Sequence, residues 1–398
     1  MGSFQNPTMT ARARRALRLL DRVPTYSSGR KGHVGLGKHE HSEDCEMSES
    51  LDGELHVKKR IKCVVWDLDD TLWQGVLLES DQVSLRDNVV EIVKALDNRG
   101  ILQSIASKND HETAMLKLGD FGLQEYFLYP QINWNSKASS ITSIATSINI
   151  GLDVIAFIDD QPFERGEVAF SLPEVLCIDG ADLDQLLDMP EMNPRFITSD
   201  SQNRRQMYQH DAHRNQEEEQ FVGSKEEFLA SLKMVLTISS AQEEDLRRAE
   251  ELTLRTNQLN TTGYTLSYDE LNHVRQSDQH KLLIASLDDK YGSYGKIGLA
   301  LVECLATGWT VKLLLMSCRV MSRGIGMVII NHILQLAKET QVPLYAEFVS
   351  NYRNRMMYMT YKFAGFKEVE KRGEVIVFEN DLTRIQPFPA YMQVTILE

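Results

Sequence analysis

A chain of 398 residues carries an expectation of two or three domains, each large enough to bury its own core. With 42% hydrophobic and 25% charged residues, 23 Gly and 10 Pro, the composition excludes a collagen-like or wholly disordered chain. The net charge of −14 is uneven: residues 1–60 hold 11 Lys and Arg against 8 Asp and Glu, which leaves −17 on the rest, a body that repels polyphosphate backbones and excludes nucleic acid as the expected partner.

Residues 1–60 begin with a short basic helical segment over 11–23 and continue without periodicity, the composition of a flexible tail. His39, His41 and Cys45 lack a fourth ligand at finger-like spacing, so this stretch reads as a polar segment with no metal. No apolar run reaches the roughly 18 residues of a spanning helix, and the Arg-rich and Ser-rich start lacks the apolar core of a secretory signal. A cytoplasmic protein with no membrane partner is expected. The five cysteines, Cys45, Cys63, Cys177, Cys304 and Cys318, are odd in number and never spaced as a CxxC pair, so they read as thiols.

From residue 61 the texture changes. Apolar strands predicted over 61–68, 102–106 and 154–158 alternate with helices over 89–98, 111–118 and 138–148, the pattern of a parallel sheet wrapped by helices. An active site in such a sheet is expected at the carboxyl ends of its strands. A polar, helical connector over 199–220 separates this first domain, 61–198, from a second over 221–398. There, strands over 235–239, 281–288, 297–306, 310–317 and 343–349, joined by hairpin-like turns, combine with helices over 243–257 and 326–339 in an α+β pattern with a mostly antiparallel sheet.

The first predicted strand ends in Asp67-Leu68-Asp69-Asp70-Thr71. Three carboxylates within four positions repel one another, and a divalent cation resolves that crowding. The spacing suits phosphoryl transfer, with Asp67 as nucleophile at phosphorus and Asp69 as general acid and then base. Ser107 ends a later strand and, with Thr71, offers a hydroxyl to phosphate. Lys137 precedes a helix and offers a point positive charge, and Asp159-Asp160 end a further strand and complete a metal set of Asp67, Asp69, Asp159 and Asp160.

This ordered set resembles the haloacid dehalogenase (HAD) superfamily of aspartate-dependent phosphatases. Within it, Asp67-Leu68-Asp69-Asp70-Thr71-Leu72-Trp73, Ala106-Ser107-Lys108-Asn109-Asp110, Ile132-Asn133-Trp134 and Phe157-Ile158-Asp159-Asp160-Gln161-Pro162-Phe163-Glu164-Arg165 resemble the FkbH-like branch, HAD subfamily IIIC, of polyketide biosynthesis. The resemblance continues through Leu252-Thr253-Leu254-Arg255-Thr256-Asn257-Gln258-Leu259-Asn260, Tyr291-Gly292-Ser293-Tyr294-Gly295 and Leu315-Met316-Ser317-Cys318-Arg319-Val320-Met321, and covers about residues 60–370. The run 255–260 reads equally as surface capping or as a polar substrate pocket. Little sequence separates the first two motifs, so only a minimal cap fits between them. In the second half, Arg323, Gly324 and Gly326 before a helix, with Asn354 and Tyr361 further on, resemble the CoA-binding turn and closing motif of GNAT acyltransferases, although Met321 and Ser322 depart from that pattern.

The resemblance implies a Mg2+-dependent glyceryl transferase and phosphatase. It would take 1,3-bisphosphoglycerate, form a thioester on Cys318, remove phosphate at Asp67, and load the glyceryl unit onto the phosphopantetheine thiol of an acyl carrier protein. Arg323, Gly324, Gly326, Asn354 and Tyr361 would hold the pantetheine arm. Arg319 and Arg323, close to Cys318 in sequence, are expected to lower its thiol pKa. Arg247, Arg248, Arg353 and Arg355 are candidates for docking an acidic carrier. Two other readings use the same residues: a stand-alone small-metabolite phosphatase with a structural second domain, and a CoA-dependent acetyltransferase.

Overall fold

The computed structural model describes residues 60–80 and 82–397, so the tail reading of residues 1–60, with His39, His41 and Cys45, lies outside the described residues except at Arg60. Strand β1 (Cys63–Trp66) is the centre of a five-stranded sheet in the order β5-β4-β1-β6-β7, with β4 (Leu102–Ser107), β5 (Gln131–Ile132), β6 (Ile155–Asp159) and β7 (Leu176–Asp179) all parallel. Its four residues are apolar without alternation because both faces are covered. Val64 and Trp66 pack with Ile92, Val93 and Leu96 of α1 (Val89–Asn98), while Cys63 and Val65 pack with Ile141 and Ile144 of α3 (Lys137–Ile148) on the other face.

Two further helices, α2 (His111–Asp120) and α4 (Pro162–Ser171), complete the α/β alternation. Between β1 and α1 the chain forms a small antiparallel hairpin, β2 (Trp73–Gln74) and β3 (Ser84–Leu85), in keeping with the minimal cap expected. Parallel connections bring Asp67, Ser107 and Asp159 together at the carboxyl ends of the three central strands.

The connector is helical, as expected, in two pieces: α5 (Ser199–Gln202) and α6 (Arg204–Gln220). It ties the two sheets into one body. Arg204 donates to the Gly100 carbonyl at 2.6 Å, while Arg214, fully buried, forms a bidentate pair with Asp289 at 2.8 Å and stacks on Tyr294.

The second domain contains α7 (Lys225–Ser231), β8 (Met234–Ser240), α8 (Leu246–Arg255), α9 (Tyr268–Arg275), β9 (His280–Asp289), β10 (Gly292–Leu305) and β11 (Gly308–Met316). These are followed by α10 (Ile325–Glu339), β12 (Leu344–Val349), α11 (Arg355–Phe363), β13 (Lys367–Arg372), β14 (Val375–Asn380) and β15 (Met392–Leu397). Its eight strands run in the order β13-β14-β12-β11-β10-β9-β8-β15 and are antiparallel except at the β11–β12 and β8–β15 pairs. The architecture is therefore the expected parallel α/β domain followed by an α+β domain. Among the described residues no helix is long and apolar enough to cross a membrane.

One local feature bears on ligand binding. Strands β11 and β12 pair only at Trp309–Leu344, Thr310–Tyr345 and Val311–Ala346 and then part. The wedge is filled by residues 259–262 of the chain itself: the Thr261 amide donates to Leu314 O at 3.0 Å, Met316 N to Leu259 O at 2.9 Å, and Val349 N to Thr261 O at 2.9 Å. Both strand edges are thus satisfied internally.

Candidate functional site

Asp67 follows β1 with its amide bonded to Ile158 O at 2.9 Å, which fixes it beside the end of β6. Its carboxylate is 5% exposed. Lys137, the first residue of α3 and 3% exposed, donates to Asp67 and, at 3.0 Å, to Asp159 Oδ2. Burial pushes the Asp67 carboxyl up to about 6, opposed by the Lys137 charge and reinforced by Asp159. The Ser107 side chain also faces the Asp67 carboxylate and acts to lower its pKa. Asp159, fully buried, accepts from Gln161 N at 2.8 Å through its other oxygen, and burial raises its pKa as well.

Among the described residues, Asp67, Asp159 and Asp160 are a grouping whose ligand atoms lie within 4.8 Å of one another. Three carboxylates against one lysine leave negative charge uncompensated, and hard oxygen donors suit Mg2+. The residues present therefore fit a magnesium ion.

Two expectations need correction. The Asp69 side chain lies outside this set: it accepts from Trp73 Nε1 at 2.8 Å, Leu77 N at 3.1 Å and Asn109 Nδ2 at 3.0 Å, so its oxygens are turned toward the hairpin and the β4–α2 turn. Thr71, expected to bind phosphate, is fully buried. Its hydroxyl donates to Asp160 Oδ1 at 3.2 Å and accepts from Asp160 N at 2.9 Å, so it orients the Asp160 carboxylate instead. Asn109, which pins Asp69, was missed, although it stands in the quoted Ser107-Lys108-Asn109 motif.

Cys318 lies elsewhere. It borders a cavity of about 460 Å³ between the two domains, with its thiol near the Asn149 carbonyl. Residues 255–259 line this cavity, so of the two readings of that run the polar pocket is the one the structure places. The cavity opens at the amino edge of the parallel sheet, beside Lys62 at the start of β1 and Asn149 after α3, whereas Asp67 and Lys137 lie at the opposite ends of those elements. Two rulers agree on the separation: five strand residues at about 3.3 Å each give roughly 17 Å, and the length of α3 at 1.5 Å per residue gives roughly 18 Å.

The expectation of a depressed Cys318 pKa is also corrected. Burial raises the thiol above its ordinary value, and Arg319 and Lys62 offset this only in part. Arg323 does not contribute as expected, because it is buried, paired with Glu218 at 3.0 Å and set over the Phe228 ring.

The remaining residues assigned to a pantetheine arm are structural. Gly324 caps α10 at φ 79, where a side chain would also meet Tyr391 Oη, and a Cβ on Gly326 would lie 2.6 Å from Met316 Cε. Asn354, fully buried, donates to Asn260 O at 3.0 Å and Val349 O at 2.9 Å. Tyr361 is fully buried against Phe366 and Phe378. With the β11–β12 wedge already closed by residues 259–262, these groups do not fit an extended pantetheine arm there.

No family model and no curated protein matches the chain. Among solved structures it is similar to the N-terminal part of a Bacteroides fragilis protein containing a phosphatase domain, complexed with Mg. That match has 30% identity over 34% of this chain and a TM-score of 0.31, and the chain spans 40% of that structure's length. It is also similar to the ribosomal-protein-S18-alanine N-acetyltransferase of Escherichia coli (16% identity, 38% of this chain, 97% of that chain, TM-score 0.30). A HAD-superfamily hydrolase from Ehrlichia chaffeensis matches at 14% identity (33% of this chain, 97% of that chain, TM-score 0.27).

Proposed function

We propose that the protein is a magnesium-dependent phosphohydrolase coupled to acyl transfer, which removes phosphate from a phosphorylated acyl unit and delivers the acyl group through Cys318 to an acyl carrier protein. The observation that carries the reading is the buried Lys137 between Asp67 and Asp159, with Asp160 alongside and the Ser107 side chain facing Asp67. Asp67, Asp159 and Asp160 would hold a magnesium ion, which would supply charge neutralisation for phosphate oxygens. Asp67 attacks phosphorus, and the ester oxygen departs with a proton from Asp69 once that side chain turns from Trp73, Leu77 and Asn109 toward the phosphate, leaving an aspartyl phosphate. Water attacks that phosphorus, loses its proton to Asp69, and frees inorganic phosphate. Lys137 and Ser107 hold Asp67 in place and balance its charge.

The acyl step uses Cys318. Its sulfur attacks the carbonyl carbon of an acyl phosphate, the bond from that carbon to the phosphate oxygen breaks, and inorganic phosphate leaves. The carrier thiol then attacks the thioester and Cys318 is released. Lys62 faces the same cavity, its Nζ donating to Arg255 O at 2.9 Å, and burial followed by the Arg255 charge lowers its amine to about 7, which makes it the candidate base for the thiol proton near neutral pH. With 1,3-bisphosphoglycerate as donor the product is a glyceryl thioester, as the FkbH-like resemblance implies.

The test is intact-protein mass spectrometry of the enzyme and a holo-carrier after incubation with magnesium and 1,3-bisphosphoglycerate. Glyceryl mass on the carrier is expected; Cys318→Ala should abolish it, and Asp67→Asn should leave the unit phosphorylated. Phosphate release with no acylated protein would replace this reading with a plain phosphatase.

A further inference from the structure

The interdomain cavity has a composition the body as a whole does not. In a chain of net charge −14, six cationic side chains line it, Lys62, Arg204, Arg248, Arg255, Arg319 and Arg353, and among the described residues none of those lining it is acidic. Behind the lining, Glu251 serves Arg204 and, at 2.7 Å, Arg248, and lies 3.9 Å from Arg255; Arg248 has Asp200 as well, at 2.9 Å. Asp211 is paired with Arg214 at 2.8 Å and its charge also acts on Arg319, while the Asp153 carboxylate acts on Lys62 and flanks Gly151 together with Arg353. One Arg319 nitrogen donates to Tyr294 O at 2.8 Å, and its buried Nη1 has no partner.

The cations disturb one another. Burial, followed by the Arg255 charge, lowers Arg204 to about 9, and burial lowers Arg255 as well. Cations from both domains converge on one cavity whose own lining offers no carboxylate, the acidic groups standing behind it. An anion is the missing member of such a cluster, and planar guanidinium groups match the oxygens of a phosphoryl group.

We propose that this cavity is a second phosphoryl site, distinct from the carboxylate site, in which Arg255, Arg319 and Arg353 hold the phosphoryl dianion of an acyl phosphate with its carbonyl carbon at Cys318. The acyl identity rests on the function proposed above; the phosphoryl dianion does not. The same cations that bind the group then stabilise it as it leaves the acyl carbon with its electron pair while the sulfur–carbon bond forms.

The experiment follows iodoacetamide alkylation of Cys318 by mass spectrometry, using the full chain in EDTA. Inorganic phosphate should slow alkylation saturably, whereas chloride at matched ionic strength should not. Arg353→Gln, at a half-buried rim position, and Arg319→Gln should each weaken that protection about tenfold or more, the loss of one charge-assisted contact. Asp67→Asn should leave it unchanged. The site is overturned if phosphate gives no protection, if chloride matches it, if protection survives both arginine changes, or if Asp67→Asn removes it. A parallel arm with acetyl phosphate reads the acyl step: protection by phosphate with no acetyl adduct on Cys318 would sink the acyl-transfer reading and leave the phosphoryl site standing.

Discussion

Lys137 stands between Asp67 and Asp159 with all three side chains less than 10% exposed. Replacing it with Met keeps a side chain of similar length and removes the charge, together with the ammonium's contact over the Phe157 ring. A pair at 3.0 Å is worth about 5 kcal/mol of Coulomb energy at an effective dielectric constant near 20, much of which offsets desolvation. Removing one partner of a buried pair costs about 3–5 kcal/mol because the other charge is stranded. Lys137→Met should therefore lose about 3–5 kcal/mol at pH 8 in EDTA, measured by urea unfolding with the fluorescence of the buried Trp66 and Trp73 as the probe. The pH dependence has a defined sign. The folded pKa of Asp67, about 6, is raised above its ordinary 3.8, so this carboxyl stabilises the fold when protonated, and that contribution disappears as pH rises through 6. The cost of Lys137→Met should accordingly shrink between pH 8 and pH 5, and added magnesium should stabilise the variant more than the parent at pH 8. A cost under about 1 kcal/mol, or one that stays flat from pH 8 to 5, would refute the assignment of Lys137 as the cation of a buried carboxylate pair.

The other expectations concern the connector and the thiol. Arg214→Met strands the fully buried Asp289 and should cost about 3–5 kcal/mol in the same unfolding assay, with Asp289→Asn in the same chain recovering part of it; full additivity of the two would argue against a direct pair. Gly295→Ala places a Cβ 2.4 Å from Asp200 Oδ2 at φ +72, so a loss of roughly 1–3 kcal/mol is expected, and an unchanged melting temperature would count against the tight approach of connector and β10. Because burial raises the Cys318 thiol, its alkylation rate in the ligand-free protein should keep climbing past pH 9; a plateau below pH 8 would reveal a thiolate stabilised more strongly than Arg319 and Lys62 achieve.

Much of the carboxylate site was legible because its signal is local. A strand that must be apolar on both faces and then breaks into Asp67, Asp69 and Asp70 announces where the sheet ends, and strand order does the rest. Orientation was not legible. Spacing cannot show that Asp69 turns toward Trp73 and Asn109, or that the Thr71 hydroxyl faces Asp160. The second half shows a different failure. Arg319 and Arg323 both lie within five residues of Cys318, but one lines its cavity while the other points to Glu218. Counting charges along the chain also omits burial, which dominates the Cys318 thiol. The cavity itself draws on Lys62, Asn149, Arg255, Cys318 and Arg353, separated by scores of residues, so no window of sequence contains it.

The distance between the two sites constrains the chemistry more than either site alone. Asp67 lies at the carboxyl edge of the parallel sheet and Cys318 borders the cavity at its amino edge, with roughly 17 Å of β1 between Lys62 and Asp67 and the packed side chains of β1 and α3 filling that space. A three-carbon acyl unit anchored on the Cys318 sulfur spans only a few bonds and cannot bring its phosphate ester to Asp67. On the function proposed above, dephosphorylation of a thioester held on Cys318 is therefore incompatible with this arrangement, and the phosphate would be removed when the unit is on something longer or free. A carrier thiol on an extended arm meets that requirement, but the β11–β12 wedge, closed by residues 259–262, cannot be where the arm lies. The approach left to it is the mouth of the interdomain cavity near Tyr352 and Arg353, an exposed tyrosine beside a half-buried arginine, which makes that rim, and not the turn before α10, the part of the second domain on which carrier recognition would depend.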